Sequence, residues 1–176
     1  GDLVGSPKQT RVPVSACENI PDCELTDAEV GLLGWFLSDG TLNKSTRAVE
    51  FSQAAHQPQI KHLRECLEQS GLRWGESEAA HELRPTTTMV RFYVSHGEPR
   101  RLTDRHLHGW SHRLAPWIDR QMTPAYERLS SRQFEVMLHA LHLGNGTKHK
   151  PEDWTQRSYH ISIGDTKQAQ RLQALG

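Results

Sequence analysis

Two stretches 106 positions apart constrain this chain most: "GLLGWFLSDGT" at 31–41 and "MLHALHLGNGT" at 137–147. Overlaid, Leu32 falls on Leu138, Gly34 on Ala140, Ser38 on Gly144, Asp39 on Asn145, Gly40 on Gly146 and Thr41 on Thr147. Each stretch follows a capping box, Thr26 with Glu29 and Ser130 with Gln133, which starts a helix. Gly34 and Ser38 are four apart, as are Ala140 and Gly144, so each pair shares a helix face. Small side chains on such a face let two helix backbones approach closely. The repeat therefore predicts two helices packed at these seams, with their C-terminal ends together and Asp39 beside Asn145. It also predicts a chain built from two copies of one α/β unit. A carboxylate at a helix C-terminus sits against the negative end of the helix dipole, so Asp39 is either a solvated turn residue or has something positive beside it.

The intervening sequence supplies the rest of the unit. "RAVEFSQA" alternates Val49 and Phe51 with polar neighbours and reads as a strand. "QPQIKHLRECLEQSG" sets Ile60, Leu63 and Leu67 on one helical face and ends at Gly71. "RWGESEAAHELR" and "TMVRFYVSH" read as two further strands, and "EPRRLTDRHLHGW" as a third helix. Residues 1–24 form a lead-in broken by Pro7, Pro13 and Pro21, with "TRVPVSA" a short edge strand. Residues 25–110 make the first half, 111–128 a connector rich in Pro and Trp, and 129–176 a second half. After the second motif, "SYHISIGDTKQAQRLQALG" repeats strand then helix. The second half has no equivalents of the strands at 74–95 or of the helix after them, so either the rest is supplied elsewhere or the sequence is a piece of a longer protein.

Composition narrows the class. Lys plus Arg and Asp plus Glu are 21 each, so the formal net charge is zero and global charge neither announces nor excludes a nucleic-acid partner. No apolar run reaches the roughly 18 residues of a membrane span. Three cysteines without a CxxC pair argue against a disulfide framework. A cytoplasmic protein without a membrane partner is the expectation.

"LLGWFLSDG" and "LHALHLGNG" resemble the two signature helices of LAGLIDADG (dodecapeptide) homing endonucleases, the second mainly by register. "VEFSQAAHQPQIKHLRECLEQSG" also follows the family's order, and "GDLVGSPKQTRVPVSA" resembles the segment leading into the endonuclease of large inteins. The resemblance implies an α+β fold: a pseudo-twofold pair of αββαββα halves, the second half incomplete here. It implies central signature helices, sheets lying along the major groove, and Mg²⁺-dependent hydrolysis of both strands of a long double-stranded DNA site. It also implies a monomer, if the chain is complete, and covalent membership of a larger intein or host protein. The nucleophilic first residue and terminal His-Asn pair of a splicing domain are not at the ends of this sequence, so splicing is not expected from it alone.

On that resemblance Asp39, Asn145 and Gly40 are the metal-holding positions, and Asp39, Asn145, His96 and Lys148 the catalytic candidates. Carboxylates converging from two helix ends recruit divalent cations, which activate water and stabilise a leaving oxygen. Asn145 stands where the family carries Asp or Glu, and an amide is a poor Mg²⁺ ligand. It marks a natural loss of cleavage, a deliberate replacement that holds uncut DNA, or a tolerated change; a cleavage-impaired chain is the reading favoured here. His96 stands where the family often carries Lys.

With Val49, Phe51, Val90, Phe92 and Val94 inward, the opposite sheet face presents Glu50, Ser52, Arg91, Tyr93 and Ser95. Arg91 suits guanine or phosphate and Glu50 suits cytosine. Arg47, Lys148 and Lys150 complete the expected DNA contacts, although "TKHK" also reads as a mobile basic loop, and a solvated face is the plain alternative for the strand residues. His139 and His142 fall on Leu33 and Phe36 of the repeat, which favours packing over metal ligation. The "HLH" at 106–108 has no ligand spacing. The alternative function is a non-catalytic DNA-binding protein of the same fold, such as a transcriptional regulator. A generic α/β metal hydrolase would leave the repeat unexplained.

Overall fold

A computed structural model describes residues 20–97, 107–145 and 170–172. The fold is α+β. In chain order the elements are α1 (Asp27–Asp39), β1 (Thr41–Leu42), β2 (Val49–Ala54), α2 (Ile60–Gln69), β3 (Trp74–His81), β4 (Arg84–Val94), α3 (Trp110–Arg113), a 3-10 helix (Pro124–Arg128) and α4 (Ser131–Gly144). The strands form one antiparallel sheet in the order β1-β2-β4-β3.

Both expected capping boxes form. The Thr26 hydroxyl accepts from the Glu29 amide while the Glu29 carboxylate accepts from the Thr26 amide, and Ser130 and Gln133 repeat this at α4. From Ala28 to Leu37 every residue of α1 is buried, because the helix lies between the sheet, α2 and α4. Such a helix is apolar all round rather than amphipathic. Its one buried acid, Glu29, is 1 % exposed and is held by a two-point contact from Arg113 of α3. By contrast α2 buries a single stripe, Ile60, Leu63, Cys66 and Leu67, and Gly71 follows it with φ +69°, the left-handed conformation glycine adopts without strain.

The strand alternation holds. Val49, Phe51, Val90, Phe92 and Val94 are each 3 % exposed or less, and Gln53 is buried on the same face. Cross-strand register sets Ser52 and Ser77 on either side of Arg91, and Glu50 and Gly75 on either side of Tyr93, on the opposite face.

Two local expectations are corrected. The expected third helix does not extend through 107–109: His108 pairs with Leu72 in a parallel bridge, its amide donating to the Gly71 carbonyl and its carbonyl accepting from Arg73. Helix starts only at Trp110, the last residue of that stretch, and runs on to Arg113 in what reads in sequence as connector. Thr41–Leu42 forms a short edge strand that no alternation announces. Residues 1–19, 98–106, 146–169 and 173–176 lie outside the described residues, and with them the lead-in strand and, apart from 170–172, the second half beyond Asn145. Among the described residues no helix is long and apolar enough to cross a membrane.

Candidate functional site

The two motif helices meet at the small residues. A Cβ built on Gly34 would collide with the Met137 carbonyl and stand 2.8 Å from the Ala140 Cβ and 2.9 Å from the Leu141 nitrogen. One built on Gly144 would overlap the Ser38 hydroxyl and lie 3.1 Å from Trp35 Cε3. The contacts advance in the same direction along both helices, so α1 and α4 run parallel. Their C-terminal ends therefore share one end of the seam. Asp39 follows the Ser38 contact by one residue and Asn145 follows the Gly144 contact by one residue.

At the α1 end the Asp39 carboxylate accepts a 2.5 Å hydrogen bond from Gln53 Nε2. Gln53 is buried on β2, so the sheet fixes the carboxylate from below. Asp39 keeps contact with solvent on one side, while the protein mass on the other desolvates it and raises its carboxyl above the usual carboxylate range. The Gln53 bond and the charge of Arg120 oppose that rise.

Arg120 is the positive partner that the helix end demanded. No basic residue lies in the last turn of α1. Instead Arg120 NH1 donates to the Gly40 carbonyl at 2.5 Å, and NH2 donates to the Leu37 and Ser38 carbonyls at 3.2 Å each. One guanidinium thus satisfies three carbonyls at the α1 C-terminus. Sequence reasoning missed it because residues 111–128 hold three arginines, Arg113, Arg120 and Arg128, with nothing local to choose between them.

At the α4 end Asn145 is the C-cap. Its amide N–H donates to the Leu141 carbonyl at 3.2 Å, and its side-chain Nδ2 is buried without a hydrogen-bond partner among the described residues. Gly146, Thr147, Lys148 and Lys150 lie outside the described residues.

Among the described residues no group of three or more His, Cys, Asp or Glu converges to hold a metal. A site completed by substrate has lower demands. Mg²⁺ commonly takes one or two carboxylates and fills its other positions with water and phosphate oxygens. Asp39 offers the carboxylate. Asn145 offers an amide whose orphaned nitrogen exchanges with its oxygen by a half-turn about one bond. Asp39 suits such an ion and Asn145 is at most a weak neutral donor to it, while the Gly40 carbonyl already accepts one hydrogen bond from Arg120.

His96 is not brought to this site. Its ring packs edge-on against Trp110, centroids 5.0 Å apart, and its carbonyl accepts from the Ser111 hydroxyl. Val90 is the β4 residue paired with Gln53, and His96 lies six positions further on, about 20 Å along an extended strand.

The sheet-face candidates separate into two groups. Ser52, Arg91 and Tyr93 are exposed, and the Tyr93 ring lies over the bare backbone of Gly75, where a Cβ would collide with it. Glu50 is committed to Asn43 Nδ2 at 2.8 Å, and the Asn43 oxygen accepts from the Ser45 and Thr46 amides. This network shapes the 43–48 loop, in which Arg47 is exposed with φ 57° and its carbonyl accepts from Trp110 Nε1 at 2.9 Å. Ser95 sits at the strand end, half-buried, with its amide and carbonyl bonded to Arg73 and Trp110.

His139 packs its ring against His62 of α2, centroids 5.4 Å apart, and His62 Nδ1 accepts from Trp35 Nε1 at 3.1 Å. Those contacts are packing. The chain was compared with family models, curated proteins and solved structures, and none matches.

Proposed function

We propose that this chain is the endonuclease portion of an intein, a LAGLIDADG-type homing endonuclease that binds a long double-stranded DNA site and hydrolyses phosphodiester bonds with Mg²⁺. Its cleavage step is impaired by Asn145. One observation carries the reading: a parallel pair of helices, seamed by Gly34 with Ala140 and Ser38 with Gly144, ends on Asp39 and Asn145. Beside that seam lies an antiparallel sheet with one open face carrying Ser52, Arg91 and Tyr93.

Each residue then has a task. Asp39 supplies negative charge at the seam end, and Gln53 fixes one of its oxygens. Asp39, with Asn145 as a weaker donor, would hold Mg²⁺, which would supply charge neutralisation and an activated water. Arg91 reaches outward between two serines to a phosphate or a guanine edge, and Tyr93 lies flat across Gly75 as an apolar contact.

A second reading, a non-catalytic DNA-binding regulator of the same fold, is favoured by the neutral Asn145 and by the guanidinium on the Gly40 carbonyl. Selection from a random duplex library followed by a Mg²⁺ cleavage assay separates the two. On the endonuclease reading the selected duplex is cut slowly, and Asn145→Asp speeds cutting by about tenfold or more. A selected duplex that neither protein cuts leaves the regulator, and failure to retain any duplex sinks both.

A further inference from the structure

We propose that Arg120 is a positioning residue that governs how the α1 end takes up a divalent cation, keeping that end self-neutralised until a phosphate arrives. The inference rests on the reading of Asp39 as a cation-facing group, but its test needs no DNA. Three facts carry it. The guanidinium fills the Leu37, Ser38 and Gly40 carbonyls, which are the main-chain oxygens the helix end would otherwise offer to a metal. It comes from residues 111–128, which belong to neither motif helix, so the seam alone does not provide it. The last turn of α1 holds no basic residue, and among the described residues Arg120 supplies positive charge at that helix end.

A guanidinium cannot lose its proton at ordinary pH, so its charge stands permanently beside Asp39. A divalent ion approaching the carboxylate meets that charge. A phosphate diester neutralises it and brings oxygens that complete the ion's shell. Cation and phosphate then bind cooperatively, and the apo chain holds a cation weakly. Coupling of this kind restricts metal loading to the DNA-bound protein.

The test is Mn²⁺ binding to the apo chain, followed by calorimetry and by paramagnetic broadening of the Asp39 and Gly40 amide resonances. Arg120→Gln keeps an N–H donor for the carbonyls and removes the charge; Arg120→Lys keeps the charge and loses the fork. Thermal unfolding of each variant reports that it is folded. The expected result is Mn²⁺ binding roughly three- to tenfold tighter in Arg120→Gln than in the parent, with Arg120→Lys unchanged. Equal affinity in the parent and Arg120→Gln overturns the proposal, as does equal tightening in both variants or no broadening at Asp39 in any of them. If the Mn²⁺ result holds while no duplex is retained, the endonuclease reading falls and the role of Arg120 stands.

Discussion

The Ser38 hydroxyl occupies the space in which a Cβ on Gly144 would stand, and it donates from there to the Trp35 carbonyl at 2.9 Å. The helix backbones are therefore as close as two serine- and glycine-bearing turns permit. The seam at Gly34 is tighter in a different sense, because its obstacle is the Met137 main chain, which cannot rotate away. Alanine improves helix propensity over glycine by about 1 kcal/mol. Despite that gain, Gly34→Ala is expected to lose roughly 1–3 kcal/mol of stability through overpacking. Gly144→Ala should lose less and recover when combined with Ser38→Gly. Urea denaturation of the three variants checks this; a Gly34→Ala protein more stable than the parent would show that the helices do not meet here.

Acid should loosen the α2–α4 contact. Burial lowers the His62 pKa from its ordinary 6.5, and the neighbouring His139 lowers it further. His139 is lowered by burial and then by His142. Glu65 acts in the opposite direction on His62, and Cys66 lies 3.8 Å from its Nδ1. Both imidazoles are thus held neutral by the fold. Their contribution is complete above pH 6.5 and is lost as pH falls from there through the lower folded values. The urea midpoint should drop between pH 7.5 and pH 5.5, and His139→Gln should flatten the drop. An unchanged slope in that variant would remove the pair from the account.

Cys66 should be inert in the native protein. Burial against Gly31 of α1 pushes its thiol up to about 12, with Glu65 adding to the rise. Only the thiolate alkylates. Iodoacetamide at pH 8 is expected to modify Cys66 about 1,000-fold more slowly in buffer than in urea, read by peptide mass spectrometry. Comparable rates would mean that α2 separates readily from α1.

Arg91 and Glu50 should behave differently towards DNA although both sit on the open sheet face. Arg91 projects between Ser52 and Ser77, whereas Glu50 is spent on Asn43. Arg91→Ala is expected to weaken duplex binding and reduce the slope of log K against log salt by about 0.9, one released counterion. Glu50→Gln should change the slope little. Fluorescence anisotropy across a salt series measures both, and an Arg91→Ala slope equal to that of the parent would move the DNA off this face.

What could be read in the sequence was short-range or periodic. The capping boxes span three residues, the seam spacing four, and the strand alternation two, so each is decided by near neighbours. What escaped was decided at long range. Arg120 reaches carbonyls 80 to 83 positions away, and the His62–Trp35 bond spans 27. The third helix failed at 107–109 because pairing with Leu72 competes for the same amides, which no helical pattern records. His96 was assigned from resemblance alone, and the strand's length carries it away from Asp39.

The seam between α1 and α4 also sets a clock. At about 5–20 residues per second of synthesis, α1 waits roughly 5–20 s for α4 to leave the ribosome. During that interval the Gly34–Ser38 strip, fully apolar on its flanks, has its sheet and α2 but no matching helix. The strip of another nascent chain is the most similar surface within reach.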